Sequence, residues 1–272
     1  MSKVSQENGK RGLIGPILTL ATVVFFLVAG IYFVIAPTRE SKRLEQSLID
    51  QYGWANKYTP ATNGSIPGQR VERFIRVREA LQQNCRDYQG ILDDVLAIES
   101  IETNEEMTPV EKTSTGIRSF TGIFSAAPNM LEFMEVRNAS LLAEEMGLGE
   151  YIYIYMAVYG EQLATESVSN YSGMEEAYIS QRTRDEFVQI LANQLATLEA
   201  AGPGDFPEGL IADLRAEVEA IKDGSHSSPW PNGPTGMTRE SLAPYREQLA
   251  DLYCAGIVKI ELQQKNRGFS FE

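Results

Sequence analysis

The chain has 272 residues and a formal net charge of −13, with 37 Asp and Glu residues against 24 Lys and Arg residues. Only one of those acids, Glu7, precedes residue 37, so nearly all of the acidic excess belongs to the rest of the chain. An acidic surface of this kind excludes nucleic acid as a partner and disfavours binding to anionic lipid headgroups. The length after residue 36 is sufficient for a domain with its own hydrophobic core.

Residues 13–36 form an apolar run, LIGPILTLATVVFFLVAGIYFVIA, without a charged side chain. A helix over this run would be about 36 Å long, which exceeds the ~30 Å hydrocarbon core of a bilayer. The end of the run, Val34 to Ala36, imitates the cleavage site of a signal peptide. The run is longer than a signal h-region, however, and Pro37 would follow the cut directly. We therefore predict an uncleaved transmembrane helix in contact with the lipid bilayer.

The orientation of the predicted span does not follow from the positive-inside rule alone. Three basic residues precede the run and three follow it closely, so the count is a tie. A short basic tail is easily retained in the cytoplasm, whereas long domains translocate largely regardless of charge. We predict a cytoplasmic tail at residues 1–12, a stalk helix and linker at 37–68, and an extracytoplasmic helical domain at 69–272.

After Pro37, apolar residues recur at helical spacing and Gly- and Pro-rich turns separate the segments. The predicted helices are 38–52, 67–100, 108–126, 129–146, 149–160, 183–201, 205–223 and 238–264. Thr183 and Glu186 have the spacing of a capping box at the start of the sixth of these helices. The pattern predicts an all-α protein in which a single transmembrane helix is followed by an antiparallel multi-helix bundle.

One segment, GEYIYIYMAVYG at 149–160, is compatible with two secondary structures. Alternation of Tyr and Ile is typical of a strand, whereas Tyr151, Tyr155 and Tyr159 recur at every fourth residue, as on one face of a helix. Both neighbouring segments are helical and the sequence offers no partner strand, so we predict a helix. The tyrosine stripe is expected either to pack in the core or to line a ligand cavity.

Two arginines lie on helix faces that the apolar pattern directs toward the core. Arg78 and Arg137 each lie three or four residues from apolar residues of the same stripe, within a repeated Phe-x-x-Val-Arg-x-Ala pattern. A buried guanidinium must be paired, and Glu145 and Glu150 are the nearest plausible carboxylates along the sequence. The set predicts either a buried ion-pair network or an anion-binding pocket lined by the arginines and the tyrosine stripe.

Cys85 and Cys254 are the only cysteines, and they are separated by most of the domain. The sequence is compatible with two interpretations: a disulfide in an oxidising compartment, or two buried free thiols. Together with one histidine, they are too few for a four-ligand zinc site, so we expect no bound metal.

No catalytic motif accompanies His226, the single histidine, which lies in a Pro- and Gly-rich loop beside Trp230. We therefore expect a protein that is not an enzyme and needs no cofactor. The leading hypothesis is a membrane-anchored domain that binds a protein partner in the membrane or periplasm, or that serves as an assembly subunit of a membrane complex. The alternative is a small-molecule or anion-binding domain with its pocket at Arg78, Arg137 and the tyrosine stripe.

Overall fold

A computed structural model describes residues 39–102, 131–169, 180–201, 206, 209–226, 229–234, 236–254 and 258–262. The predicted span at 13–36 and the predicted helix at 108–126 lie outside these residues. The chain divides into two compact units, Met1–Glu40 and Ser41–Glu272, and nearly all of the described residues belong to the second. Within the part of the chain that is described, no helix combines the length and apolar character needed to cross a bilayer.

Every regular element in the described ranges is helical, which confirms the prediction of an all-α helical bundle. The α-helices are α1 (39–52), α2 (Gly68–Glu102), α3 (131–143), α4 (Leu148–Ser169), α5 (Gln181–Ala201), α6 (Leu210–Lys222), α7 (Gly236–Leu242), α8 (Arg246–Ala250) and α9 (Val258–Glu261). Short 3-10 helices occupy Ala55–Lys57 and Ala243–Tyr245.

Helix α4 is the centre of the domain, and it includes the segment that was ambiguous in the sequence. Residues 151–157 are buried without interruption. A helix that is apolar on every side is typically surrounded by other elements, which explains why no amphipathic pattern marks this one. The prediction of a helix at 149–160 is confirmed.

Two glycines let loop backbone approach α4 closely. A Cβ atom added at Gly160 would lie 2.3 Å from the carbonyl oxygen of Pro229, and one at Gly149 would lie 2.2 Å from the carbonyl oxygen of Ala55. Both distances are far below van der Waals contact, so any larger residue would displace backbone. The glycines thereby fix the loop containing Pro229 and the 3-10 helix at Ala55 against the central helix.

Contacts of α2 establish the directions of the first three long helices. Its first turns lie beside the turn after α3, where the Arg73 guanidinium donates to the carbonyl oxygen of Glu144 at 2.9 Å. Farther along α2, the Phe74 ring lies 5.1 Å from the ring of Tyr151 and Arg78 lies over the ring of Tyr155. Helices α2 and α4 therefore run in the same direction, and α3 runs antiparallel to both.

Helices α5 and α6 form the predicted antiparallel hairpin. The carboxylate of Glu199, near the end of α5, pairs with Arg215 of α6 at 2.7 Å. The two helices also line one cavity, to which α5 contributes Gln194 and α6 contributes Asp213 and Glu217.

Three predictions about helix limits are wrong. The predicted helix at 238–264 is divided into α7, α8 and α9. The first interruption, between α7 and α8, falls at Pro244, which has no backbone N–H and whose ring would clash with the carbonyl of the residue four positions earlier in an α-helix. The residue that caps α5 is Ser180, whose hydroxyl accepts a hydrogen bond from the N–H of Thr183 at 3.1 Å, so Thr183 and Glu186 form no capping box. The helix predicted at 205–223 begins later than expected: α6 starts at Leu210, directly after Gly209, which has a left-handed φ of 89°.

Candidate functional site

Arg78 and Arg137 are buried, as their positions on the apolar stripes predict. Their exposed fractions are 1% and 0%. Each guanidinium must therefore find its hydrogen-bond acceptors within the protein, and those acceptors distinguish a structural centre from a ligand site.

Arg78 lies in a cage of aromatic rings and oxygen acceptors. Its Nη1 donates to the carboxylate of Glu261 and, at 3.2 Å, to the hydroxyl of Tyr151, while its Nη2 donates to the carbonyl oxygen of Leu252. The guanidinium also lies 5.2 Å and 5.4 Å from the ring centroids of Tyr155 and Tyr159, within the range of cation–π attraction. This Arg78–Glu261 ion pair is the charged centre of the core.

Tyr151 strengthens the same pair from the side of α4. Its hydroxyl donates to the Glu261 carboxylate, and burial raises the pKa of Tyr151 to about 12. The hydroxyl therefore keeps its proton at neutral pH and acts as a donor. Its neighbour in the stripe, Tyr159, donates to the carbonyl oxygen of Leu249 at 2.8 Å. The tyrosine stripe thus packs in the core, and the hydroxyls of Tyr151 and Tyr159 bond to the C-terminal segment.

Arg137 donates hydrogen bonds to neutral oxygens. Its Nη1 donates to the backbone carbonyl of Glu261, while Nε and Nη2 donate to the side-chain oxygen of Asn138 at 3.0 Å and 2.9 Å. Burial lowers the pKa of Arg137 to about 10, and the buried carboxylates Glu45 and Glu186 oppose that shift. The guanidinium therefore remains protonated at neutral pH. Glu261 contacts both buried arginines: its side-chain carboxylate accepts from Arg78, and its backbone carbonyl accepts from Arg137.

The predicted partners of the buried arginines are elsewhere. Glu145, with a left-handed φ of 49°, lies in the turn beyond α3 and pairs with Arg73 at 2.7 Å. Glu150, in the first turn of α4, accepts a hydrogen bond from Nε of Arg70 at 2.6 Å. Both carboxylates therefore contact the first turns of α2, away from Arg78 and Arg137.

Sequence reasoning missed Glu261 because it treated 238–264 as one helix. The interruptions at Pro244 and after Ala250 change the helical phase, and they turn Glu261 fully into the core. The available signal was indirect: two inward-facing arginines require a carboxylate, and Glu261 lies between two apolar residues.

The two cysteines lie together in the structure. Cys85 of α2 and Cys254, in the segment after α8, form a disulfide with a Cα–Cα distance of 6.3 Å. The bond ties α2 to the segment that also supplies the Leu252 carbonyl to Arg78. It thereby holds the C-terminal segment, and with it Glu261, against the core.

Two cavities lie among the described residues of the domain, and the residues that line them include neither Arg78 nor Arg137. The first, of about 520 Å³, lies between α4 and α7–α8, and Tyr159 is the one residue of the predicted pocket among those that line it. The second, of about 380 Å³, lies between α5, α6 and the loop 229–234 and includes His226. The arrangement therefore separates the buried arginines from the accessible cavities.

His226 is held beside a carboxylate. Its Nδ1 lies 3.3 Å from Glu217, which also accepts a hydrogen bond from the backbone N–H of Trp230 at 2.8 Å. Within the described ranges, no three His, Cys, Asp or Glu side chains are grouped closely enough to hold a metal ion.

No protein-family model, no curated protein and no solved structure matches this chain.

Proposed function

We propose that the chain is a single-pass membrane protein whose helical domain lies outside the cytoplasm and acts as a non-enzymatic partner-binding or assembly subunit of a membrane complex. In this proposal, residues 13–36 cross the bilayer with the N-terminus in the cytoplasm, and 37–68 connect the span to the domain.

The observation that carries the proposed location is the disulfide between Cys85 and Cys254. Structural disulfides persist in oxidising compartments and are rare where thiols are kept reduced. The pair joins two elements 169 residues apart in sequence, so it constrains most of the domain. A domain outside the cytoplasm is the setting in which such a bond is maintained.

The contacts of the buried arginines support a role without catalysis. Arg78 donates through both Nη atoms to Glu261 and Leu252, and Arg137 donates to Glu261 and Asn138, so protein acceptors occupy the donors at the ends of both guanidinium groups, and only Nε of Arg78 has no hydrogen-bond partner among the described residues. Such buried pairs fix the position of the elements that carry them. These contacts favour an architectural charged centre over an anion pocket. The acidic charge of the chain favours a partner with a basic surface.

Reporter fusions at the two ends of the full chain test the topology. An alkaline phosphatase fused after Glu272 is expected to be active and a fluorescent protein fused there dark, with the reverse at the N-terminus. A fluorescent C-terminal fusion would contradict the proposed orientation.

Partner binding is tested by crosslinking in intact membranes before solubilisation, followed by purification of the tagged full chain. We expect a discrete heteromeric product whose formation requires the domain. As a matched control, a chain with the same tag and residues 1–68 only should lack that product. Recovery of the full chain alone, after efficient crosslinking of a known complex in the same membranes, would contradict a role as an assembly subunit.

A further inference from the structure

The last elements of the described chain lie over the buried arginines. Beyond α8, residues 251–254 and 258–262 are described, and we call these two stretches together the C-terminal strap. Their one regular element is α9, which has four residues. A helix this short is not stable by itself in water, so the strap keeps its place through its ties to the rest of the domain.

Polar ties connect the strap to three other helices. Arg78 of α2 donates to the carbonyl oxygen of Leu252 and to the carboxylate of Glu261. Tyr151 of α4 donates to the same carboxylate, and Arg137 of α3 donates to the backbone carbonyl of Glu261. The strap therefore supplies acceptors to both buried guanidinium groups, and both groups lose these acceptors when the strap departs.

The noncovalent ties of the strap oppose one another in free energy. Burying Arg78 and Glu261 costs hydration that offsets their mutual attraction, and undocking the strap restores that hydration. Buried apolar side chains of the strap favour docking, namely Leu252, Val258 and Leu262. The conformational entropy lost by the ordered strap opposes docking. Because these contributions have opposite signs, a covalent tie can decide whether the strap stays docked.

The disulfide is that covalent tie. It joins Cys254 of the strap to Cys85 of α2, with a Cα–Cα distance of 6.3 Å. Helix α2 has 35 residues and packs in the core, so it is the fixed side of the bond. While the bond is intact, Cys254 cannot leave α2, and Leu252, two residues earlier, stays within reach of Arg78.

We propose that the C-terminal strap is a redox-controlled latch over Arg78 and Arg137, closed by the disulfide and opened by its reduction. A dithiol reductant supplies the two electrons: the Cys85–Cys254 bond breaks, the two sulfurs of the reductant bond to each other, and their protons pass to the cysteine thiolates. The strap then undocks, both guanidinium groups reach water, and helices α2 to α6 stay folded. The latch depends neither on the orientation proposed for the membrane span nor on a protein partner.

Hydrogen exchange of the full chain in detergent, followed by mass spectrometry, tests the latch. In the oxidised chain, the N–H groups of Leu252 and Leu262 each donate to a backbone carbonyl oxygen at 3.2 Å. With dithiothreitol as the reductant, we expect peptides that contain the strap to exchange about ten-fold faster or more, because loss of the bond raises the population of the undocked state. Peptides from α4 and α5 should remain protected when the strap has exchanged fully.

Matched variants separate the bond from other effects of the reductant. The full chain with Cys85→Ser and Cys254→Ser should show fast strap exchange without reductant and no further response to dithiothreitol. Glu261→Ala supplies a second readout: its decrease in Tm should be smaller in the reduced chain than in the oxidised chain, because an undocked strap no longer keeps Arg78 out of water. The proposal is overturned if reduction leaves strap exchange unchanged, if α4 loses protection together with the strap, or if the Glu261→Ala decrease is the same in both redox states.

Discussion

Removal of the Glu261 carboxylate is expected to be the most destabilising single change in the domain. Glu261 is fully buried and pairs with Arg78, whose exposed fraction is 1%. Glu261→Ala leaves the Arg78 charge in the core with the Leu252 carbonyl and the Tyr151 hydroxyl as its remaining oxygen contacts. Breaking a buried pair by removing one partner costs about 3–5 kcal/mol, because the remaining charge stays desolvated. For a domain of this size, each kcal/mol lowers Tm by about 2–4 °C, so we expect a decrease of about 6–20 °C.

The measurement is thermal and urea unfolding of the full chain in detergent, followed by circular dichroism. Glu261→Gln should cost less than the alanine variant, since its amide oxygen still accepts from Arg78 and Tyr151. The double variant Arg78→Met with Glu261→Leu should recover much of the loss, because no buried charge then remains. Exposed Glu219→Ala is the control and should change stability by no more than about 0.5 kcal/mol. A Glu261→Ala variant as stable as this control would refute the reasoning.

Three further changes test other contacts. Reduction, or the paired variants Cys85→Ser and Cys254→Ser, should lower stability by about 5 kcal/mol on the chain-entropy estimate, and an electrophoretic mobility insensitive to reductant would contradict the bond. Gly160→Ala should destabilise by about 1–3 kcal/mol through its clash with loop backbone, whereas Gly68→Ala meets only a tyrosine hydroxyl and should unfold near the wild type. Burial raises the pKa of Tyr153 to about 12, so the folded state binds the phenolic proton more tightly than the unfolded state. Stability should therefore fall as pH rises from about 10 to 12, and Tyr153→Phe should make this fall less steep in a pH series of urea unfolding, with Tyr151 still contributing to it; an equally steep fall in the variant would contradict the prediction.

The sequence predicted the secondary structure well where helices are amphipathic and bounded by turn residues. The limits of α2 and the burial of Arg78 both followed from apolar residues at spacings of three and four, which is a local property of one helix. The same reasoning failed at the C-terminal segment, where Pro244 interrupts an otherwise helical pattern. Because the helical phase changes there, the periodicity of the segment did not predict the burial of Glu261.

By itself, the sequence therefore determined which side chains are buried and that the buried arginines need hydrogen-bond acceptors. Two inward-facing arginines require an acceptor, and hydrophobic periodicity places them in the core without reference to any other part of the chain. Only the tertiary structure decided that Glu261 meets Arg78, that Cys85 meets Cys254, and that Gln194 opens into a cavity beside Trp230. Each of these arrangements brings together residues more than 30 positions apart in the sequence, and it depends on how whole helices pack, which a local pattern does not encode.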